Sequence, residues 1–494
     1  MKLKNYFSSL LPQSFLLKRH YQKQNLFQDI FAGVFVGIIA IPLSIAFAAS
    51  SGVPPIIGLT SAFFAGIVAA VFSGCRYQIT GPTGACILIL NQTLRDVGFE
   101  GMLICTFLAG MLVLLMGLLK LGKYSKYIAR PVVVGFSAGL ALSILTSQVP
   151  DYLALKLSGL PLNALEKWMT YFENWQSINI TSVVLGSISV ALLIVWKKLN
   201  IKFPAPMAVI IIISIITTLF KLNVPTLGSK YGSLTMEIDF KLQFSNFEFF
   251  KIIKPTIYIA ILIAIVSLLS AMTADNLSGQ KTNMDAELVS QGLANIICAC
   301  FGCIPVMGAV ARTSSNISSG SVSFISSIVH SLVILITGLF LMPLASYIPL
   351  TVLAAVLFVA CFNMFNIKAV KKVFSYSIKD IIIFFSAFVL TFLVNIIVAI
   401  AVSIIMSFLF LIIENIIKKT KHIKSPLEIK IIDQTIYFSG DLNFVTVQKI
   451  FNIVLPKTDT LIIDLQGITT FDMTGCEVLE NWIKSQKSKF CDII

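Results

Sequence analysis

Charge and histidine are scarce in this 494-residue chain: only 12% of its residues are Asp, Glu, Lys or Arg, and it has three histidines. That scarcity leaves most soluble catalytic designs without parts. The sequence contains no GxSxG nucleophile elbow, no P-loop, no HExxH pair and no zinc-ligand constellation. Its nine cysteines lie mostly within apolar segments and have no histidines at ligand spacing, so they read as small core residues. No catalytic residue, cofactor or metal is expected. Acidic residues are the scarcer of the two signs, 23 against 37 Lys and Arg, which leaves a net charge of +14. The bases gather at the ends of apolar runs rather than on one soluble face. This argues for membrane topology and against nucleic acid as a partner.

Hydrocarbon is what the chain has in excess. Hydrophobic residues make up 57% of it and the mean hydropathy is +0.90. Apolar runs recur from about Asp29 to about Lys418, each near the ~20 residues that cross a bilayer. They predict spans at 29–49, 56–73, 83–95, 101–120, 130–148, 179–196, 206–221, 254–273, 286–303, 310–320, 324–342, 350–362, 379–394 and 396–417. An even number of spans puts both termini on one side. Lys18, Arg19, Lys23, Lys120, Lys123, Lys126, Arg130, Lys197, Lys198, Lys202, Lys368, Lys371, Lys372, Lys418, Lys419 and Lys421 all fall on that side, which the retention of bases makes cytoplasmic. The expectation is a multi-pass protein of the inner (plasma) membrane, its lipid bilayer being one partner.

Two stretches break the pattern in the same way. Ile79-Thr80-Gly81-Pro82-Thr83-Gly84-Ala85-Cys86 and Pro305-Val306-Met307-Gly308-Ala309-Val310-Ala311-Arg312-Thr313-Ser314-Ser315-Asn316 put Gly, Pro and small hydroxyl residues where a span would run on unbroken. Irregular backbone at membrane depth is tolerated only inside protein or along a cavity. Each break occupies the third position of a seven-span half, so a 7+7 inverted repeat follows, with the two half-helix N-termini facing each other. Unpaired N–H groups and the positive dipole ends there suit a small anion. Arg312 is the one basic residue in this region, and an intramembrane charge is a functional candidate.

After Lys424 the pattern becomes that of a small soluble α/β unit. A hairpin over Glu428–Asp433 and Thr435–Gly440 precedes an amphipathic helix near Asn443–Leu455, a strand over Thr460–Leu465, a turn at Phe471–Gly475 and a helix over Cys476–Lys487. About 70 residues are few for such a unit, so the domain is expected to be incomplete.

These motifs together resemble the SulP family of anion transporters. The resemblance rests on Ile41-Pro42-Leu43-Ser44-Ile45-Ala46-Phe47-Ala48, Ser51-Gly52-Val53-Pro54-Pro55 and Gln78–Ala85. It continues through Leu268-Leu269-Ser270-Ala271, Glu287-Leu288, Gln291-Gly292-Leu293-Ala294-Asn295 and Gly308–Thr313. The C-terminal unit resembles a STAS domain, with Asp472-Met473-Thr474-Gly475 at its signature turn. The resemblance implies a polytopic α-helical membrane protein with a cytoplasmic segment at 1–28 and a transport domain at 29–420. A core of spans 1–4 and 8–11 would work against a gate of spans 5–7 and 12–14, followed by a STAS-like domain at 425–494. It also implies a homodimer and a cargo of sulfate, bicarbonate, chloride, oxalate or dicarboxylate. The substrate-binding set it implies is Phe47, Thr83, Gly84, Ala85, Val310, Ala311, Arg312 and Thr313. Thr474 aligns with a residue phosphorylated in soluble STAS relatives.

Val266 stands where many bacterial relatives carry a carboxylate linked to cation coupling. Exchange or uniport is therefore the expected mode, with cation-coupled symport or an anion channel as the alternatives. A nucleobase-type carrier of the same fold would need acidic side chains that Val266 and Arg312 do not provide. A receptor or scaffold presenting the C-terminal domain would have no use for two intramembrane breaks. Of the remaining polar groups, Asp29 is read as a helix cap or interface anchor and His330 as a hydrogen-bonded core residue. Asp275, Asp285 and Glu287 are read as capping and pairing groups at a turn with Lys281. Glu414 is placed at the interface or facing a dimer partner.

Overall fold

Prolines and glycines punctuate an almost wholly helical chain in the computed structural model, which describes residues 12, 23–157, 161, 164–199, 203–232, 239–242, 249–394, 396–420, 427–432, 434–453, 460–486 and 492–493. The basic stretch with Lys18 and Arg19, and the linker at 421–426, lie outside the described residues. The chain opens with α1 (Lys23–Ser50) and α2 (Pro55–Phe72). Pro55 starts α2 at a position where a first-turn amide has no helical acceptor to lose. Strand β1 (Thr80–Gly81) precedes α3 (Cys86–Leu118), which Gly98 divides into two spans with a φ of 70°. Helices α4 (Arg130–Leu153), α5 (Ala164–Glu173), α6 (Ile180–Lys198), α7 (Ala205–Leu219) and α8 (Leu227–Tyr231) complete the first half.

The second half repeats the plan. It runs through α9 (Phe249–Ser278), α10 (Met284–Cys300), β2 (Met307–Gly308), α11 (Val310–Ser318), α12 (Ile325–Phe340), α13 (Met342–Ala345), α14 (Leu350–Met364), α15 (Ile367–Tyr376), α16 (Ile378–Leu393) and α17 (Ile396–Thr420). With the two arms of α3 taken separately, every expected span has its own helix. Among the described residues, six helices are long and apolar enough to cross a membrane by length and composition, and shorter apolar helices accompany them.

The chain forms two compact units, residues 1–123 with 143–363 and residues 124–142 with 364–494. In the first, α3 and α10 approach at backbone distance: a Cβ on Gly110 would lie 2.9 Å from the Gly292 carbonyl oxygen. Small residues permit that contact, and packing then stabilises the pair. Ile41, Ile45, Leu59, Ile213 and Leu353 belong to a large apolar cluster in the same unit. Asp29 is no interface anchor, because it is fully buried and its carboxylate accepts the N–H groups of Val322 and Ser323 at 2.7 and 3.0 Å. It thus caps a turn just ahead of α12 rather than its own helix, which already begins at Lys23. Cys300 and Cys303 stand at C-x-x-C spacing at the end of α10, beside buried Cys298, and all three are free thiols.

The second unit joins α15, α16, α17 and the first turns of α4 to the C-terminal α/β segment. Strands β3 (Glu428–Ile432) and β4 (Thr435–Leu442) form an antiparallel hairpin; β5 (Thr460–Phe471) runs parallel to β4, and β6 (Asp492–Ile493) parallel to β5. Where an amphipathic helix is expected after β4, the chain makes a 3₁₀ turn over Thr446–Asn452. The Asn443 carboxamide oxygen accepts the N–H groups of Val445 and Thr446 at 3.0 Å each, which competes with α-helical bonding. Helix α18 (Met473–Gln486) packs Leu479 and Trp482 onto Ile436, Phe438 and Leu461.

Asp472 caps α18 by accepting the Gly475 N–H at 2.7 Å, and its other oxygen accepts the Phe444 N–H at 2.8 Å. Burial nevertheless pushes its carboxyl up to about 7. The start of α18 is held to the membrane-type helices of this unit. Met473 N–H donates to Asp380 at 3.1 Å, Arg130 N–H donates to the buried Thr474 hydroxyl at 2.8 Å, and Arg130 Nε pairs with Glu477 at 2.9 Å. Glu414 pairs with Lys379 at 2.7 Å within the unit.

Candidate functional site

The two breaks meet. Thr80 pairs with Gly308 and Gly81 with Met307 in an antiparallel ladder. The Ala309 N–H extends it by donating to the Ile79 carbonyl at 2.9 Å. Pro82 ends β1 because it has no N–H to continue pairing, and α3 begins after the turn Thr83-Gly84-Ala85. Neither the Ala85 nor the Ala309 position caps its helix with a side chain. In α3 the Cys86 and Ile87 N–H groups donate to the Thr83 and Gly84 carbonyls at 3.1 and 3.2 Å, so its first turn is partly closed by its own backbone, while no side chain caps either α3 or α11.

The expected site residues divide into two sets. Phe47 and Thr83 are half-buried, Val310 and Ala311 are exposed, and together they form the accessible side of the breaks. Gly84 lies between Phe47 and Ile144, where a Cβ would sit 3.3 Å from Phe47 Cε1 and 2.4 Å from Ile144 Cδ1. Ala85 is buried at the helix start. Arg312 and Thr313 point the other way, into the protein. Thr313 Oγ1 accepts the Ile79 N–H at 3.1 Å and lies 3.2 Å from Ser270 Oγ, so it is a strut between the two halves. Arg312 donates from Nη2 to the Pro82 carbonyl at 2.7 Å, and its Nη1 crowds Gly81, where a Cβ would lie 2.7 Å away. Its charge is thus fixed behind β1 and reaches the accessible side as a field rather than as a contact.

A shell of buried polar groups fixes this arrangement, and the sequence reading missed its hub. Glu287 is fully buried and accepts Ser73 Oγ–H at 2.5 Å, Cys75 N–H at 3.2 Å, Gln78 Nε2 at 2.7 Å and Gln291 Nε2 at 2.7 Å. These donors occupy both carboxylate oxygens with no cation paired to it among the described residues, so it is not the turn-capping group expected. Gln291 Nε2 also donates to Thr80 Oγ1 at 2.8 Å, tying the hub to β1. Asn295 holds the approach to β2, with Nδ2 donating to the Val306 carbonyl at 2.8 Å and Oδ1 accepting the Val306 N–H at 2.9 Å. Glu287, Gln291 and Asn295 recur every fourth residue, and that polar stripe on an apolar helix is the signal that could have exposed them. Ser267, next to Val266, accepts the Gly308 N–H at 3.0 Å. His330 is fully buried, yet neither ring nitrogen finds a partner among the described residues. That corrects its reading as a hydrogen-bonded core residue.

A helical bundle whose discontinuous helices meet at paired breaks is the architecture of a membrane transporter. The sulfate permease family model matches residues 26–387, and the chain belongs to that family. It is 36% identical over 396 residues to the putative sulfate transporter YvdB of Bacillus subtilis, covering 79% of this chain and 74% of that protein. The transmembrane domain of a cyanobacterial bicarbonate transporter, BicA, superposes with a TM-score of 0.68 at 27% identity, covering 77% of this chain and 98% of that one. The overall structure of SLC26A9 has the same fold across 100% of this chain and 88% of its own, with a TM-score of 0.76 at 18% identity.

Proposed function

We propose that this chain is a secondary transporter of small inorganic or carboxylate anions, of the sulfate, bicarbonate, chloride or dicarboxylate class, working by exchange or uniport. One observation carries the reading: the β1–β2 ladder brings together the starts of α3 and α11, neither capped by a side chain, with Gly84 of the first against Phe47. Such ends bind anions through backbone N–H groups and the helix dipole, with no basic pocket in contact. Arg312, held behind the ladder by Pro82, adds positive potential. Phe47, Thr83, Gly84, Ala85, Val310 and Ala311 would form the binding face, with Arg312 and Thr313 as its supports.

The coupling mode follows from the buried acids. Val266 offers no carboxylate, and Glu287 already serves four donors, which leaves it poorly suited to take up a proton or Na⁺. We place the protein in the plasma membrane with both termini cytoplasmic, as a homodimer. Spans 1–4 and 8–11 would move as a core against a gate of spans 5–7 and 12–14. The C-terminal α/β segment we read as a STAS-like regulatory domain.

The test is uptake of labelled sulfate, bicarbonate, chloride and dicarboxylates into proteoliposomes, with and without an exchangeable anion in the lumen. Acceleration by lumenal anion supports exchange. Strong stimulation by an imposed Na⁺ or pH gradient would reject it, and absence of flux for every anion would reject the transporter reading.

A further inference from the structure

Helix α15 lies in the second unit, and binding at the paired breaks gives it no task. It has two unlike sides. Ala369, Val370 and Val373 belong to an apolar cluster with Phe384 of α16 and Met473 of α18. Lys368 and Lys371 are exposed, and neither ammonium has a partner among the described residues. Along one border between these sides stand Ile367 and Phe374, 61% and 50% exposed. Seven residues make close to two helical turns, so the pair lines a single edge. An exposed apolar edge beside an exposed basic face is the pattern of a helix that lies in a membrane interface.

Hydrocarbon continues from that edge. Ile378, Ile382, Phe385, Val389 and Leu393 of α16 are all exposed and recur at helical spacing, a stripe that an apolar span turns to lipid. Phe374 meets this stripe edge-on at Phe385, with ring centroids 5.9 Å apart. The bend that brings the two helices together is fixed by caps. Asn366 Oδ1 accepts the Ala369 N–H at 3.1 Å to start α15, and Ser377, in extended conformation, ends it and starts α16 by accepting the Lys379 N–H at 3.3 Å.

We infer that α15 docks on the cytoplasmic leaflet of the bilayer and binds the headgroups of anionic phospholipids through Lys368 and Lys371. Ile367 and Phe374 enter the acyl boundary, while the lysine stems cover apolar surface and carry their charges to the phosphates. The neighbouring cations are engaged elsewhere, Lys372 with Glu480 at 2.9 Å and Lys379 with Glu414 at 2.7 Å, so the attraction falls to Lys368 and Lys371. A soluble partner meets the lysines but does not reach an edge that runs into the stripe of a span. A phospholipid meets both.

The far border of α15 carries the consequence. Lys372 there holds Glu480 of α18, and Tyr376 stacks edge-on against Phe471 with centroids 6.1 Å apart. Lipid that orders α15 therefore also orders its contact with the C-terminal α/β segment. The inference rests on the cytoplasmic placement proposed above, but its test needs no measurement of flux.

The test is hydrogen exchange on the full chain in nanodiscs of phosphatidylcholine alone and with a rising share of phosphatidylglycerol. Amides of 367–376 should exchange more slowly as phosphatidylglycerol rises, by about fivefold for each lysine engaged, and the effect should fade at high salt. A Lys368→Gln, Lys371→Gln double variant should lose the response, and Lys368→Arg, Lys371→Arg should keep it. The inference is overturned if exchange is the same in both lipids, or if the glutamine variant responds like the unaltered chain. Equal protection by inorganic phosphate in pure phosphatidylcholine would reveal a free-ion site, and protection that follows the number of chains per disc at fixed lipid would reveal a second copy; either overturns it. An unchanged melting temperature in phosphatidylcholine shows that the glutamine variant folds, and the lipid series on the unaltered chain tests the docking without it. Anion uptake by that variant in phosphatidylcholine proteoliposomes should be unchanged, so a lost lipid response with intact flux is distinct from failure of the transport reading.

Discussion

At the scale of single residues, the buried polar shell is where substitutions cost most. Glu287→Gln puts an NH2 group against two of the four donors that now meet a carboxylate, leaving buried N–H or O–H groups without acceptors. A loss on the order of 2–3 kcal/mol is expected, read as a lowered melting temperature in nanodiscs. Gly84→Ala acts differently. Its methyl would meet the flexible end of Ile144 and the Phe47 ring, so the fold should survive while anion KM rises and the melting temperature stays put. Arg312→Met keeps much of the side-chain volume but removes the charge and the bond to Pro82. If Arg312 works through its field, anion affinity falls several-fold across all substrates; unchanged KM values would show that it is only a brace.

At the scale of elements, Gly98 marks the division of α3 into two spans. Its φ of 70° and ψ of −176° belong to a region open essentially to glycine, and nothing lies within 4 Å of a Cβ there. Gly98→Ala should therefore cost about 1–3 kcal/mol through backbone strain alone, measurable as a melting shift without change in the cluster around Phe47. The cap of α18 predicts a pH dependence. With its carboxyl raised to about 7 in the folded chain against an ordinary value of 3.8, Asp472 binds its proton more tightly when folded. Its contribution is fully present below about pH 4 and is lost as pH rises through about 7. Amide exchange at 443–446 and 473–476, corrected for intrinsic rates, should accelerate over that window and flatten in Asp472→Asn.

Those elements also mark what the sequence can and cannot convey. Periodicity and apolar length located every membrane-type helix, and the matched Gly-Pro and Gly-Ala breaks anticipated the meeting of β1 with β2. The inward turn of Arg312 and Thr313 was not legible, because it depends on which side of a nine-residue helix faces the other half of the chain. Glu287 was misread for a related reason. Its neighbours Lys281 and Asp285 suggest a solvated turn, but the segment 73–78 folds over it from far away in sequence. Helix α15 has no counterpart among the expected elements, since Lys368, Lys371 and Lys372 mark only a side of the membrane and mask the apolar face that buries Val373.

For the molecule as a whole, the ladder between Thr80 and Gly308 has a consequence for how the protein is made. The first half of the chain enters the membrane with β1 unpaired and with Cys86, whose thiol finally rests 3.6 Å from the Pro305 carbonyl, still uncovered. Nothing in residues 1–240 can complete that pairing. A ribosome-released fragment ending there should insert but leave Cys86 open to maleimide, whereas the full chain should protect it; equal labelling of both would refute this. The binding face is thus among the last features to form during synthesis. Every nascent chain passes through an interval in which its most polar backbone waits in the membrane for a strand not yet translated.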